Sequence, residues 1–309
     1  VSRVWEITCE KRGVYEMEHI VLVTSDLLGI VRLSLHAADD GGKLTVLPKR
    51  LTEAGLLSSR RDGLWVFYSS VKEGEGAAFL KAAMPFLDED AEMRADVEMA
   101  ARIIEDRALK TRQFFNTIAE HWDTLSREVL GGFDLAGAVC DTMPEGCDTS
   151  VDLGCGTGIV LDRMRGRARQ IIGVDGSPRM LELSRRRLAG VEGEPEGVSL
   201  RIGELSHLPL RDCEADFASI NMVLHHLSNP ENALAEIRRV LRSGGLLVVA
   251  DFDRHTQERM RLDYGDLWLG FDEATMSRLL HAASFEVVST ARYPVEQGLA
   301  LNLTLARRL

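Results

Sequence analysis

The 309-residue chain carries 48 acidic against 37 basic side chains, a formal net charge of −11, with 45% hydrophobic and 28% charged residues; this describes an ordinary globular protein long enough for two domains and excludes a wholly basic nucleic-acid coat. No apolar run approaches the ~20 residues of a membrane span, and Val1-Ser2-Arg3-Val4-Trp5-Glu6 has no signal-peptide pattern, so a cytoplasmic protein without membrane contact is expected. The five cysteines, Cys9, Cys140, Cys147, Cys155 and Cys213, are scattered and form no C-x-x-C, which argues against a disulfide framework and a zinc site, and no metal ligands are assigned.

Residues 1–47 contain two apolar runs, Ile20 to Val23 and Leu27 to Leu35, that could serve as supporting helices. A helix begins with Pro48 at its first position, runs through Lys49-Arg50-Leu51-Thr52-Glu53-Ala54 and ends at Gly55. A strand over Leu56 to Ser59, a turn at Asp62-Gly63 and a returning strand over Leu64 to Ser69 complete a hairpin. This stretch, with its Leu51-Thr52-Glu53-Ala54-Gly55-Leu56 helix end and its Arg60-Arg61-Asp62-Gly63 tip, resembles the wing of the ArsR-type winged helix-turn-helix repressors. The resemblance implies that Arg60 and Arg61, with Lys49 and Arg50 on the helix before them, contact DNA phosphates, which positions a protein on the duplex without reading its sequence. A plain hairpin with a solvated charged tip is the alternative. Pro48, and Asp39-Asp40-Gly41-Gly42 ahead of it, depart from the family pattern and leave a recognition helix of under two turns. The Cys and His clusters of metal-sensing repressors are absent; Cys9 alone does not make one.

Between Lys72 and Leu130 the pattern is helical. Met93, Val97, Ala100, Ile104 and Ala108 recur in steps of three or four and form one apolar stripe. In the repressor family such helices form a two-fold dimer, so a homodimer is one reading and packing against the same chain the other. Next comes Thr111-Arg112-Gln113-Phe114-Phe115-Asn116-Thr117-Ile118-Ala119-Glu120-His121-Trp122-Asp123, with aromatics at helical spacing.

From Thr149 onward strand and helix segments alternate, the signature of βαβ units and a parallel sheet. Val151-Asp152-Leu153-Gly154-Cys155-Gly156-Thr157-Gly158-Ile159-Val160 reads as strand, tight turn and helix, the glycines letting the backbone approach a ligand. A dinucleotide fingerprint started at Gly154 would need its third glycine where Ile159 stands. A second strand, Ile171 to Asp175, ends in an acid 17 positions beyond Gly158, and Ser177-Pro178 caps a helix that stops at Gly190. A third strand from Val198 leads into Gly203-Glu204-Leu205, and a fourth runs Asp216-Phe217-Ala218-Ser219-Ile220-Asn221-Met222-Val223-Leu224-His225-His226-Leu227. Asn229-Pro230-Glu231 starts a helix that Ser243-Gly244-Gly245 ends before strand Leu246 to Phe252. An insert over Arg259 to Phe271 holds Tyr264 and Trp268, and strands over Phe285 to Tyr293 and Leu299 to Ala306 close the chain.

The acid-x-Gly-x-Gly-x-Gly pattern with the strand-ending Asp175 resembles the class I S-adenosylmethionine (SAM)-dependent methyltransferases. The resemblance implies an α/β, Rossmann-like fold with a seven-stranded sheet whose last strand is antiparallel, added to a small N-terminal winged helix-turn-helix-like domain. It implies that Asp152 lies near the amino group of SAM or S-adenosylhomocysteine (SAH), with Gly154, Gly156 and Gly158 beneath it. Asp175 then takes the ribose, Gly203 and Glu204 the adenine side, and Asn221 and Met222 the methyl donor. Phe115 and Trp122 are candidates for a lid, and Tyr264 and Trp268 for gripping a substrate or closing a lid. His226 and its neighbour His225 are read as structural or SAM-proximal in preference to catalytic. The expected division is a winged-helix-like DNA-binding domain at 1–75, a helical linker or dimerisation segment at 76–110, and a SAM/SAH-binding domain at 111–309. The leading expectation is an ArsR-type transcriptional regulator that binds operator DNA through the wing and responds to SAM or SAH. The alternative is an active methyltransferase with a small-molecule acceptor, its winged segment serving dimerisation; a SAM-bound interaction scaffold is a third reading.

Overall fold

A computed structural model describes residues 15–16, 43–44, 48–62, 65–87, 91–189 and 197–309. The chain divides into two compact units, Val1–Arg107 and Ala108–Leu309.

In the first unit β1 (Tyr15–Glu16) pairs antiparallel with β2 (Lys43–Leu44), and α1 (Pro48–Glu53) follows. Gly55, at φ +69°, turns the chain out of α1 while its N–H donates to Thr52 O at 3.0 Å and that of Leu56 to Leu51 O at 2.9 Å; a residue with a side chain pays for such a backbone and glycine does not. The hairpin follows as β3 (Leu57–Asp62) and β4 (Trp65–Ser70), with α2 (Gly74–Leu87) and α3 (Ala91–Ile118) after it. The first strand is longer than the sequence suggests. Arg60 and Arg61 sit within the ladder, opposite Phe67 and Val66, because the β-favouring Trp-Val-Phe-Tyr run keeps pairing up to Asp62. The runs Ile20 to Val23 and Leu27 to Leu35, Cys9, the side chains of Lys49, Arg50, Arg60 and Arg61, and those of Met93, Val97, Ala100 and Ile104 lie outside the described residues.

The second unit opens with the end of α3, one turn of 3-10 helix and α4 (Trp122–Leu130), then α5 (Leu135–Cys140). The alternating part is β5 (Cys147–Leu153), α6 (Ile159–Met164), β6 (Ala168–Asp175), α7 (Pro178–Leu188), β7 (Val198–Ile202), β8 (Ala215–Asn221), α8 (Pro230–Val240) and β9 (Leu241–Phe252). It ends with α9 (Arg259–Asp263), α10 (Glu273–Ala282), β10 (Phe285–Pro294) and β11 (Ala300–Arg308). One seven-stranded sheet results, in the order β10-β11-β9-β8-β5-β6-β7, in which β11 runs antiparallel to both its neighbours and the β5 to β9 pairings are parallel.

Because side chains alternate across a strand, each sheet face collects one parity of residues. Val151, Leu153, Ile172, Val174, Ala218, Ile220, Leu247 and Val249 pack with Leu234 and Ile237 of α8 and Met276 and Leu280 of α10. Ile171, Phe217, Val248 and Ala250 pack with Val139 of α5, Leu161 and Met164 of α6, and Leu181 and Leu188 of α7. A fully buried side chain such as Phe217 contributes about 1.5–3 kcal/mol. The helices start where expected: Ser177 accepts from Met180 N–H at 3.1 Å and Asn229 from Asn232 N–H at 3.3 Å. One boundary differs. Ser243-Gly244-Gly245 lies inside β9, where the register jumps from Ala215↔Leu241 to Phe217↔Leu246 and Gly244 takes φ +74°; a bulge absorbs the glycines that in sequence resemble a helix stop.

The first three strands, β5, β6 and β7, are laid down in one direction across the sheet, and β8 and β9 on the other side of β5. That reversal leaves a crevice at the carboxyl ends of β5 and β8, the place where open α/β sheets bind ligands.

Candidate functional site

The crevice floor is the loop between β5 and α6. Gly154 and Cys155 N–H groups both donate to Val174 O, at 2.8 and 3.0 Å, folding the loop over the end of β6. Gly154, Gly156 and Gly158 have φ of +70°, +52° and +82°, a region that side chains disfavour. A Cβ at Gly154 would lie 2.6 Å from Val223 Cγ2 and one at Gly158 2.4 Å from Ser184 Oγ, whereas at Gly156 the nearest atom is Trp122 Nε1 at 3.7 Å. Two of the glycines are thus required by packing, and Gly156 leaves its backbone open toward Trp122. Cys155 is buried, and burial holds its thiol well above the ordinary value, which disfavours the thiolate.

Two acids flank the loop. Asp152 is 2% exposed and its Oδ1 accepts from Ser219 Oγ at 2.5 Å and Asn221 Nδ2 at 3.0 Å, which joins β5 to β8. Burial pushes its carboxyl up to about 7, against those two hydrogen bonds. Asp175, at the end of β6, accepts Gly156 N–H at 2.9 Å on Oδ2 and Ser177 N–H at 2.8 Å on Oδ1. Burial raises its pKa too, opposed by the same backbone donors. Each Asp175 oxygen keeps a lone pair for a ligand hydroxyl. At the end of β8, Asn221 Oδ1 is buried without a partner, and Met222 holds φ +57° while its N–H donates to Ala250 O at 2.7 Å. A methionine in that region is strained, and such strain gathers at functional sites. Gly203 N–H donates to Asp175 O at 3.1 Å, and Glu204 is an exposed side chain 3.6 Å from Arg112.

Phe115 and Trp122 come together over this floor, edge to face at 5.3 Å, and Phe115 meets the His226 ring at 4.8 Å. Three contacts that sequence reasoning missed fasten them down. Thr157 Oγ1 donates to Asp123 Oδ1 at 2.5 Å, Arg187 pairs with Asp123 Oδ2, and Ser177 Oγ donates to Asn116 Oδ1 at 2.6 Å. Thr157 sits in the glycine motif and Asp123 beside Trp122, so proximity could have drawn attention to both; Arg187 in an arginine run carries no such signal.

The insert's aromatics take a different place. Tyr264 is 7% exposed within a cluster of Phe252, Met260, Leu269 and Leu301 that Met222 borders, and the Trp268 ring lies tilted against Phe271 with centroids 5.5 Å apart while its Nε1 donates to Leu227 O at 2.8 Å. The structure therefore buries Tyr264 in one hydrophobic cluster and packs the partly buried Trp268 against another. His225 and His226 are buried, with His225 Nδ1 2.7 Å from Asp251 Oδ1. Burial disfavours a charge on His225, yet Asp251 and Asp266 raise its pKa above the ordinary value, while burial and the His225 charge push His226 well below. A separate groove of about 580 Å³, lined by Phe133, Asp134, Thr142, Arg163 and Tyr293 among others, holds none of these groups.

Residues 151–249 match the family model described as "Methyltransferase domain". A 123-residue stretch is 37% identical to an uncharacterized 37.1 kDa protein in transposon TN4556 of Streptomyces fradiae, covering 39% of this chain but only 34% of that protein. A demethylmenaquinone methyltransferase of Desulfitobacterium hafniense is 28% identical over 212 residues, 63% of this chain and 80% of its own. Among solved structures, the [4+2]-cyclase SpnF superposes with a TM-score of 0.54 at 19% identity over 64% of this chain and 94% of its own. A chain from the complex of the Haloferax volcanii Trm112 methyltransferase activator with a methyltransferase gives 0.51 at 20% identity over 62% and 96%.

Proposed function

We propose, from the class I SAM-dependent methyltransferase domain that the chain carries, that it transfers a methyl group from SAM to a small-molecule acceptor. The fold alone does not decide this, since a cyclase shares it. The observation that carries the reading is the joined set of Asp152, Asn221, Gly156 and Asp175 beneath the Phe115–Trp122 pair.

These residues fit SAM or SAH. The buried Asn221 Oδ1 without a partner, the open backbone at Gly156 and the free lone pairs of Asp175 are polar positions that a ligand of this kind would satisfy. Asp175 would accept the ribose hydroxyls, Asp152 would face the ammonium of the methionine portion, and Glu204 with Gly203 would border the adenine. When bound, SAM supplies an electrophilic methyl group. Phe115 and Trp122 would exclude water and hold the acceptor in line, and that alignment is most of what such a transfer asks of a protein. The acceptor named for the Desulfitobacterium relative is a demethylated quinone, so quinols and phenols are the first class to try. The test is SAH formation from methyl-labelled SAM with a panel of quinols, phenols, thiols and amines. Turnover above the acceptor-free rate is expected with at least one class, and its abolition by Asp175→Ala; no turnover with any class would count against this reading.

A second reading, an ArsR-type regulator sensing SAM or SAH, draws support from the α1–β3–β4 helix and hairpin, with Arg60 and Arg61 on β3. In it residues 1–75 contact operator DNA, 76–110 form a homodimer and 111–309 bind the ligand. A gel-shift assay on candidate promoters at fixed salt separates the two: SAH-dependent retardation that Arg60→Ala/Arg61→Ala removes favours regulation, and none favours the enzyme alone.

A further inference from the structure

Beside the candidate site, four buried groups gather from three parts of the chain: His225 and His226 in the turn after β8, Asp251 on β9, and Asp266 after α9, each 5% exposed or less. Asp266 is unusual. Both its carboxylate oxygens are buried without a hydrogen-bond partner, and a buried, unsatisfied carboxylate calls for a compensating ion or donor. His225 Nε2 lies 3.6 Å and His226 Nδ1 3.8 Å from its Oδ1, too far for hydrogen bonds. Tetrahedral zinc holds nitrogen and oxygen donors at about 2.0–2.1 Å and therefore roughly 3.3–3.4 Å apart, so each of these separations needs to close by only a few tenths of an ångström to bring the donors onto one ion.

The surroundings agree. His225 Nδ1, 2.7 Å from Asp251 Oδ1, has a carboxylate to take its N–H, so a cation that displaces the proton on Nε2 meets a lone pair directed toward Asp266; a carboxylate behind a histidine is the usual outer partner of a metal-bound imidazole. His226 Nδ1 donates to Gly265 O at 3.3 Å, and to ligate an ion it gives up that long hydrogen bond, with the ring proton moving to the unpartnered Nε2. Charge balances as well, for one divalent cation offsets Asp251 and Asp266 together. Arg261 contributes positive potential at Asp266 from further away.

We propose that His225 Nε2, His226 Nδ1 and Asp266 bind one divalent cation of the zinc class, with Asp251 as the orienting partner of His225. Two nitrogens and one oxygen favour zinc or cobalt over magnesium or calcium, which take oxygen donors. The cysteine spacing that argues against a zinc site has no bearing on this set. The bound ion ties the end of β8 to the segment after α9 and fixes the ring that Phe115 packs against. The inference does not depend on methyl transfer.

The test uses the full chain, stripped with a chelator and titrated with Co2+ and Zn2+. One equivalent of Co2+ should give visible d–d absorption of a low-coordinate nitrogen and oxygen site, Zn2+ should displace it, and either ion should raise the thermal midpoint. Asp266→Asn should weaken Co2+ binding at least 10-fold, while His281→Gln, an exposed histidine on α10, should leave it unchanged. If Asp266→Asn does not fold, Asp251→Asn, which keeps all three ligands, should still weaken binding. Binding of less than about a tenth of an equivalent by the wild-type chain, or binding lost in His281→Gln and retained in Asp266→Asn, would overturn the proposal in favour of an ion-free imidazolium between two carboxylates.

Discussion

Replacing Asp152 by asparagine separates what this carboxylate costs the fold from what it gives the ligand. Its pKa stands at about 7 in the folded chain against an ordinary 3.8, chiefly through burial. A folded pKa above the unfolded one means that the folded state binds more protons, so this contribution to stability is complete below about pH 4 and is lost as pH rises through about 7. A shift of about three units corresponds to about 4 kcal/mol at 1.36 kcal/mol per unit, an upper bound for so buried a group. Asparagine stays neutral at every pH, and its oxygen can still accept from Ser219 and Asn221. Urea denaturation of ligand-free protein at half-unit pH steps should therefore show the wild type losing stability from about pH 4 to 7 and Asp152→Asn following a flatter curve, the variant being the more stable at about pH 8. SAM affinity should move the opposite way, the variant binding at least 10-fold more weakly, about 1.4 kcal/mol, for want of a charge to face the ammonium. Calorimetry in two buffers near pH 6.5 should further show proton release on SAM binding in the wild type and none from this group in the variant. Parallel stability curves, or equal affinity, would refute the reasoning.

Other substitutions probe the remaining parts. Gly158→Ala combines an unfavourable left-handed backbone, about 1–2 kcal/mol, with an overpacked contact on Ser184, about 1–3 kcal/mol, so a loss of about 2–5 kcal/mol is expected in chemical denaturation. Asp123→Asn removes the charge that Arg187 pairs with while keeping an acceptor for Thr157, and should speed SAM dissociation several-fold in stopped-flow fluorescence of Trp122 with little change in midpoint. Asp216→Asn weakens the carboxylate that takes Asp148 and Thr149 N–H at 2.7 and 2.9 Å and faces Arg242; a stability loss of about 1–3 kcal/mol without altered ligand affinity is expected.

What the sequence disclosed follows from which interactions are local. Gly154, Gly156 and Gly158 announce themselves because the required backbone angles restrict those positions to glycine, and Asp175 because a parallel strand ends where its apolar run ends. Ser177 and Asn229 cap helices within three residues of their partners. The fastening of the aromatic pair was not legible, since Asp123 meets Thr157 across 34 residues and Arg187 across 64. Asp266 is equally silent in sequence: only the sheet brings it to two histidines some forty positions earlier. Trp268 is another such case, its indole N–H donating to Leu227 O across 41 residues, a partner that no local pattern indicates. The glycines of β9 mislead, since a bulge and a helix stop use the same residue for the same backbone freedom.

The loop from Asp152 to Gly158 and its partner Asp175 form the centre of the proposed ligand site. Isothermal titration of the full chain with SAM and with SAH, repeated on Asp175→Ala, tests it most directly. One site per chain for each ligand is predicted, with affinity falling at least 100-fold in the variant, about 2.7 kcal/mol, as two charge-assisted contacts would give. A wild-type chain that binds neither ligand, or a variant that binds both unchanged, would contradict it.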